Sequence, residues 1–82
     1  MLPFLPLNET LKYSEAIELY SRILELYPSY YLCYFDRGGI YFDLDDYELA
    51  IADYEKFLEF EPGDEDSLYN IEAAEENMWE GY

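Results

Sequence analysis

The feature that most restricts this chain of 82 residues is that it repeats itself. Residues 13–28 and 47–62 align when shifted by 34 positions, with seven identities. Tyr13, Ala16, Ile17, Tyr20, Leu24, Glu25 and Pro28 recur as Tyr47, Ala50, Ile51, Tyr54, Leu58, Glu59 and Pro62. Ile23 and Leu26 keep their apolar character as Phe57 and Phe60. A fixed period of this length marks stacked supersecondary units, each too small to bury its own apolar face alone. In each copy the apolar residues fall at helical spacing, as in Tyr47, Ala50, Ile51, Tyr54, Phe57 and Leu58. The strict alternation of a strand is absent.

The punctuation between the copies supports helices. Pro28 and Pro62 force the residue before each of them out of helical geometry, and Gly63 reinforces the second stop. A further helix fits from about Tyr30 to Leu44, anchored by Leu32, Phe35, Ile40, Tyr41 and Leu44. Leu44-Asp45-Asp46 supplies a short turn in which an aspartate is expected to cap the next helix. Asp64, Glu65 and Asp66 then open a last helix, where acids are favoured by the helix dipole. The chain reads as an apolar tail over residues 1–8 and one all-α domain over 9–82. Its four helices are expected at about 9–27, 30–44, 46–60 and 65–79.

Composition narrows what such a domain can do. There is one cysteine, Cys33, and no histidine, so neither an internal disulfide nor a Cys/His zinc cluster is available. The core must come from ordinary side chains, and with 51% apolar and 21% aromatic residues the chain has enough of them. Twenty acids against four bases give a net charge of -16, which repels nucleic acid phosphates and anionic lipid. The acidity is uneven: residues 1–31 hold four acids and two bases, whereas residues 32–82 hold sixteen acids and two bases, Arg37 and Lys56.

The opening Met1 to Leu7 is apolar but lacks the basic start and small-residue cleavage site of a secretory signal. Asn8 and Glu9 interrupt the run well short of the roughly 20 apolar residues that span a bilayer. A soluble, cytoplasmic protein is expected, with no membrane or nucleic-acid partner. Catalysis is disfavoured, because no histidine can serve as base, and adjacent acids such as Asp45 and Asp46 diverge by about 100° on a helix. The acidic run Asp43 to Glu48 lacks the glycine and terminal glutamate of a calcium loop, so no metal and no cofactor is expected. Cys33 is expected to be an inert, partly buried thiol, and Arg37 to pair with an acid on a neighbouring helix.

The stretch Tyr31 to Pro62 resembles one complete tetratricopeptide repeat, whose pattern is W-x2-L-G-x2-Y, then A-x3-F, then P. Here it runs Tyr34-x2-Arg37-Gly38-x2-Tyr41, then Ala50-x3-Tyr54, then Pro62. Gly38 and Ala50 are the small residues where the two helices of such a hairpin cross closely. Residues 13–28 resemble only the second helix of a preceding repeat, since Pro3 and Pro6 sit where its first helix would be. The final helix resembles the first helix of a third repeat, with Leu68, Ile71 and Ala74 inward. The resemblance implies antiparallel helix hairpins of a right-handed α-solenoid.

It also implies a binding role, in which the first helices of the hairpins line a groove for a peptide or a partner helix. By position, the groove residues would be Leu32, Phe35, Gly39, Phe42 and Asp43, then Asp66, Tyr69, Ala73, Glu76 and Asn77. They are aromatic and acidic, and the basic carboxylate clamp of the chaperone-tail binders is absent. A ligand carrying Lys or Arg beside apolar anchors is therefore expected. The alternative reading is self-association. The missing first helix leaves one face of the helix over residues 9–27 uncovered, including Leu19, Ile23 and Leu26. Either the tail residues Leu2, Phe4, Leu5 and Leu7 fold back over it, or two chains pair there as a homodimer.

Overall fold

The computed structural model describes residues 7–80, which form four α-helices and no strand: α1 (Leu7–Leu26), α2 (Leu32–Asp43), α3 (Tyr47–Phe60) and α4 (Glu65–Glu80). The proposed fold-back of Leu2, Phe4 and Leu5 lies outside the described residues. α1 and α3 both end two residues before a proline. The last turns close through Tyr27 N–H to the Ile23 carbonyl at 2.7 Å and Glu61 N–H to the Phe57 carbonyl at 3.0 Å. The chain cannot continue as helix into a residue that precedes proline, so two stops 34 residues apart set the same break twice.

The turn between α2 and α3 departs from the expected capping. Asp45 adopts φ 62°, the one positive φ at a non-glycine among the described residues. Asp45 N–H bonds the Phe42 carbonyl at 3.0 Å and Asp46 N–H bonds the Tyr41 carbonyl at 2.8 Å. This paired closure on a left-handed residue is the Schellman ending of α2, with aspartate in the place usually held by glycine. The Asp45 carboxylate accepts a 2.7 Å hydrogen bond from the Tyr47 hydroxyl, and the Asp46 side chain makes no capping bond to α3. The capping aspartate is instead Asp64, at the start of α4. Its Oδ2 accepts from the Ser67 N–H at 2.9 Å and from the Ser67 hydroxyl at 2.6 Å.

Packing is sequential: α1 lies on α2, α2 most extensively on α3, and α3 on α4. Gly38 sets the closeness of α2 to α3. A Cβ there would stand 3.2 Å from Asp53 Cβ, 3.3 Å from Tyr54 Cε1 and 3.4 Å from the Ala50 carbonyl oxygen. Ala50 is fully buried, so both small residues serve the crossing they were expected to serve. Around them Phe35 meets Tyr54 edge-on at 5.5 Å and Phe57 at 5.2 Å, while Tyr31 stacks on Phe60 at 4.7 Å.

Arg37 bridges three helices. Nε and Nη2 donate to the two oxygens of Asp53, each at 2.7 Å, and Nη1 donates to Ser21 Oγ at 2.9 Å. The Tyr34 and Tyr41 rings flank its guanidinium at 5.7 and 5.9 Å. The inward stripe of α4 differs from expectation by one residue. Ser67 and Ala74 are fully buried, whereas Leu68 is 51% exposed. Ser67 is turned inward because Asp64 holds both its N–H and its hydroxyl, and Leu68 follows about 100° further round the helix.

Candidate functional site

The expected groove belongs to α2 and α4, and Tyr54 of α3 joins them from beneath. Its hydroxyl oxygen lies 3.7 Å from where a Gly39 Cβ would stand, and it is hydrogen-bonded to Asn70 of α4. Burial raises the Tyr54 pKa. The Asn70 bond acts in the opposite sense, and the charges of Asp43 and Asp53 push it further up. A buried phenol under an acidic surface is thus kept neutral, as a floor rather than as a charge.

None of the expected groove residues is buried. Leu32, Asp43, Asp66, Tyr69 and Glu76 are exposed, and Phe35, Gly39, Phe42, Ala73 and Asn77 are half-buried. They do not form one continuous row. Phe35 and Phe42 give part of their surface to internal ring contacts, Phe35 with Tyr54 and Phe57, Phe42 edge-on with Tyr47 at 5.4 Å. Asp43 accepts a 3.2 Å hydrogen bond from Tyr13 of α1. Leu32 lines a hollow of about 560 Å³ together with Ile23, Ser29, Tyr30, Tyr31 and Cys33, at the junction of α1 and α2. Asn77 lines another, of about 520 Å³, with Met78 and the residues Asp45 to Leu49 of the α2–α3 turn. Tyr69, 72% exposed, is the large aromatic ring these positions offer most fully to solvent.

The charge around these positions has one sign. Arg37 is the single base on α2 and α4, and its guanidinium is engaged by Asp53 and Ser21. The hydrogen bond to Asp53 raises its pKa further. Asp36, Asp43, Asp66, Glu72, Glu75 and Glu76 all remain exposed. Sequence reasoning did not find Asn70 or the Tyr54 hydroxyl. The signal was present in the 34-residue period, which makes Asn70 the counterpart of Asp36 on the helix after Tyr54.

Outside the groove, Cys33 is buried in the seam between α1 and α2, and burial raises its pKa; Asp36 adds to the rise and Arg37 opposes it. A thiol held protonated in this way is a packing group. Among the described residues no set of three Cys, Asp or Glu side chains is placed to hold a metal ion. Nor is any helix among them long and apolar enough to cross a membrane. Leu19 and Leu26 of α1 are 60% and 67% exposed, and Ile23 is half-buried at the edge of the hollow it shares with Leu32.

Comparison with known proteins agrees with this architecture. Residues 31–64 match the family described as tetratricopeptide repeat. Over 72 residues the chain is 35% identical to a UDP-N-acetylglucosamine--peptide N-acetylglucosaminyltransferase of Giardia intestinalis. That alignment takes in 83% of this chain and 5% of the length of that relative, so the chain spans a small part of it.

Proposed function

This chain carries a complete tetratricopeptide repeat at residues 31–64, and from that premise we propose that it is a non-catalytic module that binds a basic, partly apolar peptide or partner helix. Tetratricopeptide repeats mediate protein–protein interaction. The finer reading rests on one observation: the only cation on the two groove helices is turned inward onto Asp53, which leaves every accessible charge there negative. Opposite charge then steers a Lys- or Arg-bearing ligand, and burial of Tyr69 and Leu32 supplies the hold. On this reading the module works in the cytoplasm and uses neither cofactor nor metal, and the transferase named above bears on the scaffold alone.

The test is a titration of the intact chain with fluorescent peptides that share apolar anchors and differ in carrying lysines or glutamates. The lysine peptide is expected to bind at least tenfold more tightly at low salt, and Tyr69→Ala is expected to weaken it about tenfold, the scale of one aromatic anchor. Equal, weak binding of both peptides would sink the reading.

A further inference from the structure

The bare face of α1 can be identified residue by residue, because the 34-residue period relates α1 to α3. The α3 residues buried against α2 are Ala50, Asp53, Tyr54 and Phe57; their counterparts on α1 are Ala16, Leu19, Tyr20 and Ile23. Of these, Ala16, Tyr20 and Ile23 are half-buried, and Leu19 is left exposed at 60%, in line along the helix with Leu11 and Leu26 at 55% and 67%. α3 begins at Tyr47, after the left-handed turn at Asp45, whereas α1 runs unbroken from Leu7 through Tyr13, the counterpart of Tyr47. The hairpin that would fold a first helix onto α1 is therefore replaced by straight helix.

What fits this face follows from its chemistry. Where α3 presents Asp53 to an arginine, α1 presents Leu19, so the layer asks for an apolar partner. α4 of a second copy is a poor candidate: Glu72 stands at the position of Gly38, where the helices approach most closely, and α4 holds six acids and no base. α1 itself holds four acids and two of the chain's four bases, Lys12 and Arg22, and is the least repulsive surface a second copy of net charge -16 can meet. Arg22 is held on its own helix only by a loose, exposed contact to Glu18 at 3.9 Å. Glu15, Glu18, Leu19 and Arg22 border a shallow hollow of about 270 Å³.

We propose that α1 is the interface of a two-fold homodimer, in which two α1 helices cross antiparallel near Leu19. In that register Leu19 meets its own counterpart, Leu11 meets Leu26 of the second copy, and Arg22 meets Glu15 of the second copy. Each contact occurs twice, and the assembly closes at two chains.

Sedimentation velocity on the full chain over a wide concentration range, at about 0.15 M salt, tests this. The expected result is a concentration-dependent doubling of mass. Leu19→Glu and Arg22→Glu should each raise the dimer dissociation constant at least tenfold with unchanged helical circular dichroism. Adding Glu15→Arg to Arg22→Glu should restore the dimer. A chain that is monomeric throughout overturns the proposal, as it would if residues 1–6 or nothing at all covered the face. A dimer indifferent to all three substitutions overturns it too, because the contact then lies elsewhere. Peptide titration of the Leu19→Glu chain separates this proposal from the groove reading, since the groove residues are untouched.

Discussion

α1 and α3 share seven identical positions in one 34-residue register, yet α3 is wrapped on both sides and α1 is only half covered. α3 has α2 on one side and α4 on the other, and its Ala50, Asp53, Tyr54 and Phe57 are all buried. α1 packs chiefly on α2, and only Leu24 among its described side chains is buried. The pattern of a helix records which face needs cover, and the neighbouring helix decides whether that face gets it. The residue that differs most tellingly is the one at the centre of the face: a buried, paired Asp53 in α3, an exposed Leu19 in α1.

The largest effect is expected from breaking that pair. Arg37→Ala leaves the Asp53 carboxylate, 5% exposed, without its cation, and unfolding in urea should show a loss of about 3 kcal/mol. Combining Arg37→Met with Asp53→Leu imports the apolar layer of α1 into the hairpin. Most of the lost stability should return, because a buried ion pair replaced on both sides by apolar groups is often neutral. If the double variant is no better than Arg37→Ala, the aspartate is needed for more than pairing.

Next in size is the close approach that α2 makes to α3. Gly38→Leu must force atoms into contacts already at 3.2–3.4 Å for a single Cβ, and should cost about 2 kcal/mol. One residue on, Gly39 has only the Tyr54 hydroxyl oxygen at 3.7 Å, and Gly39→Ala should gain about 0.5–1 kcal/mol from helix propensity. Equal effects at the two glycines would mean that the crossing is looser than these distances. On the bare helix, Leu19→Glu should change the stability of the monomer by no more than about 0.5 kcal/mol, as befits an exposed site. Thermal unfolding at low protein concentration checks it.

Much of this fold was legible because its signals are periodic or strongly local. The 34-residue register gave two helices and their common phase, the prolines gave their ends, and Gly38 with Ala50 gave the crossing. Arg37 was readable as an internal partner, since a lone base in an apolar stripe needs an acid. What escaped depends on where one residue falls in space. Aspartate at the α2–α3 turn suggests a cap, but the Schellman closure puts Asp45 in left-handed geometry and turns its carboxylate to Tyr47. In α4 the inward phase is chosen by Asp64 gripping Ser67, so Leu68 is outward despite being apolar. The groove was an expectation about positions on α2 and α4, and the family pattern does not say that Phe35 is shared with the core or that Asn77 turns to a different hollow.

The smallest effect concerns that same turn, which α1 lacks. The hydrogen bond that Tyr47 donates to Asp45 is the main cause that pushes its pKa up to about 12, with burial second and the Asp45 charge third. A group whose pKa is higher folded than unfolded contributes stability in full below its unfolded value of 10.0. That contribution is lost as pH rises through about 12. Tyrosinate absorbance should therefore show Tyr47 titrating late, with Tyr20, Tyr31 and Tyr54 also above the ordinary value, and urea stability should decline across that interval. Tyr31, raised chiefly by its hydrogen bond to Glu61, adds in the same direction. Asp45→Asn is the discriminating variant, because asparagine tolerates left-handed backbone as aspartate does and the Schellman closure should survive. It should bring the Tyr47 phenol down towards the ordinary value while neutral-pH stability moves little. A large loss at neutral pH would instead mean that the carboxylate holds the turn itself, and that α3 owes its start to Asp45 rather than to the backbone closure of α2.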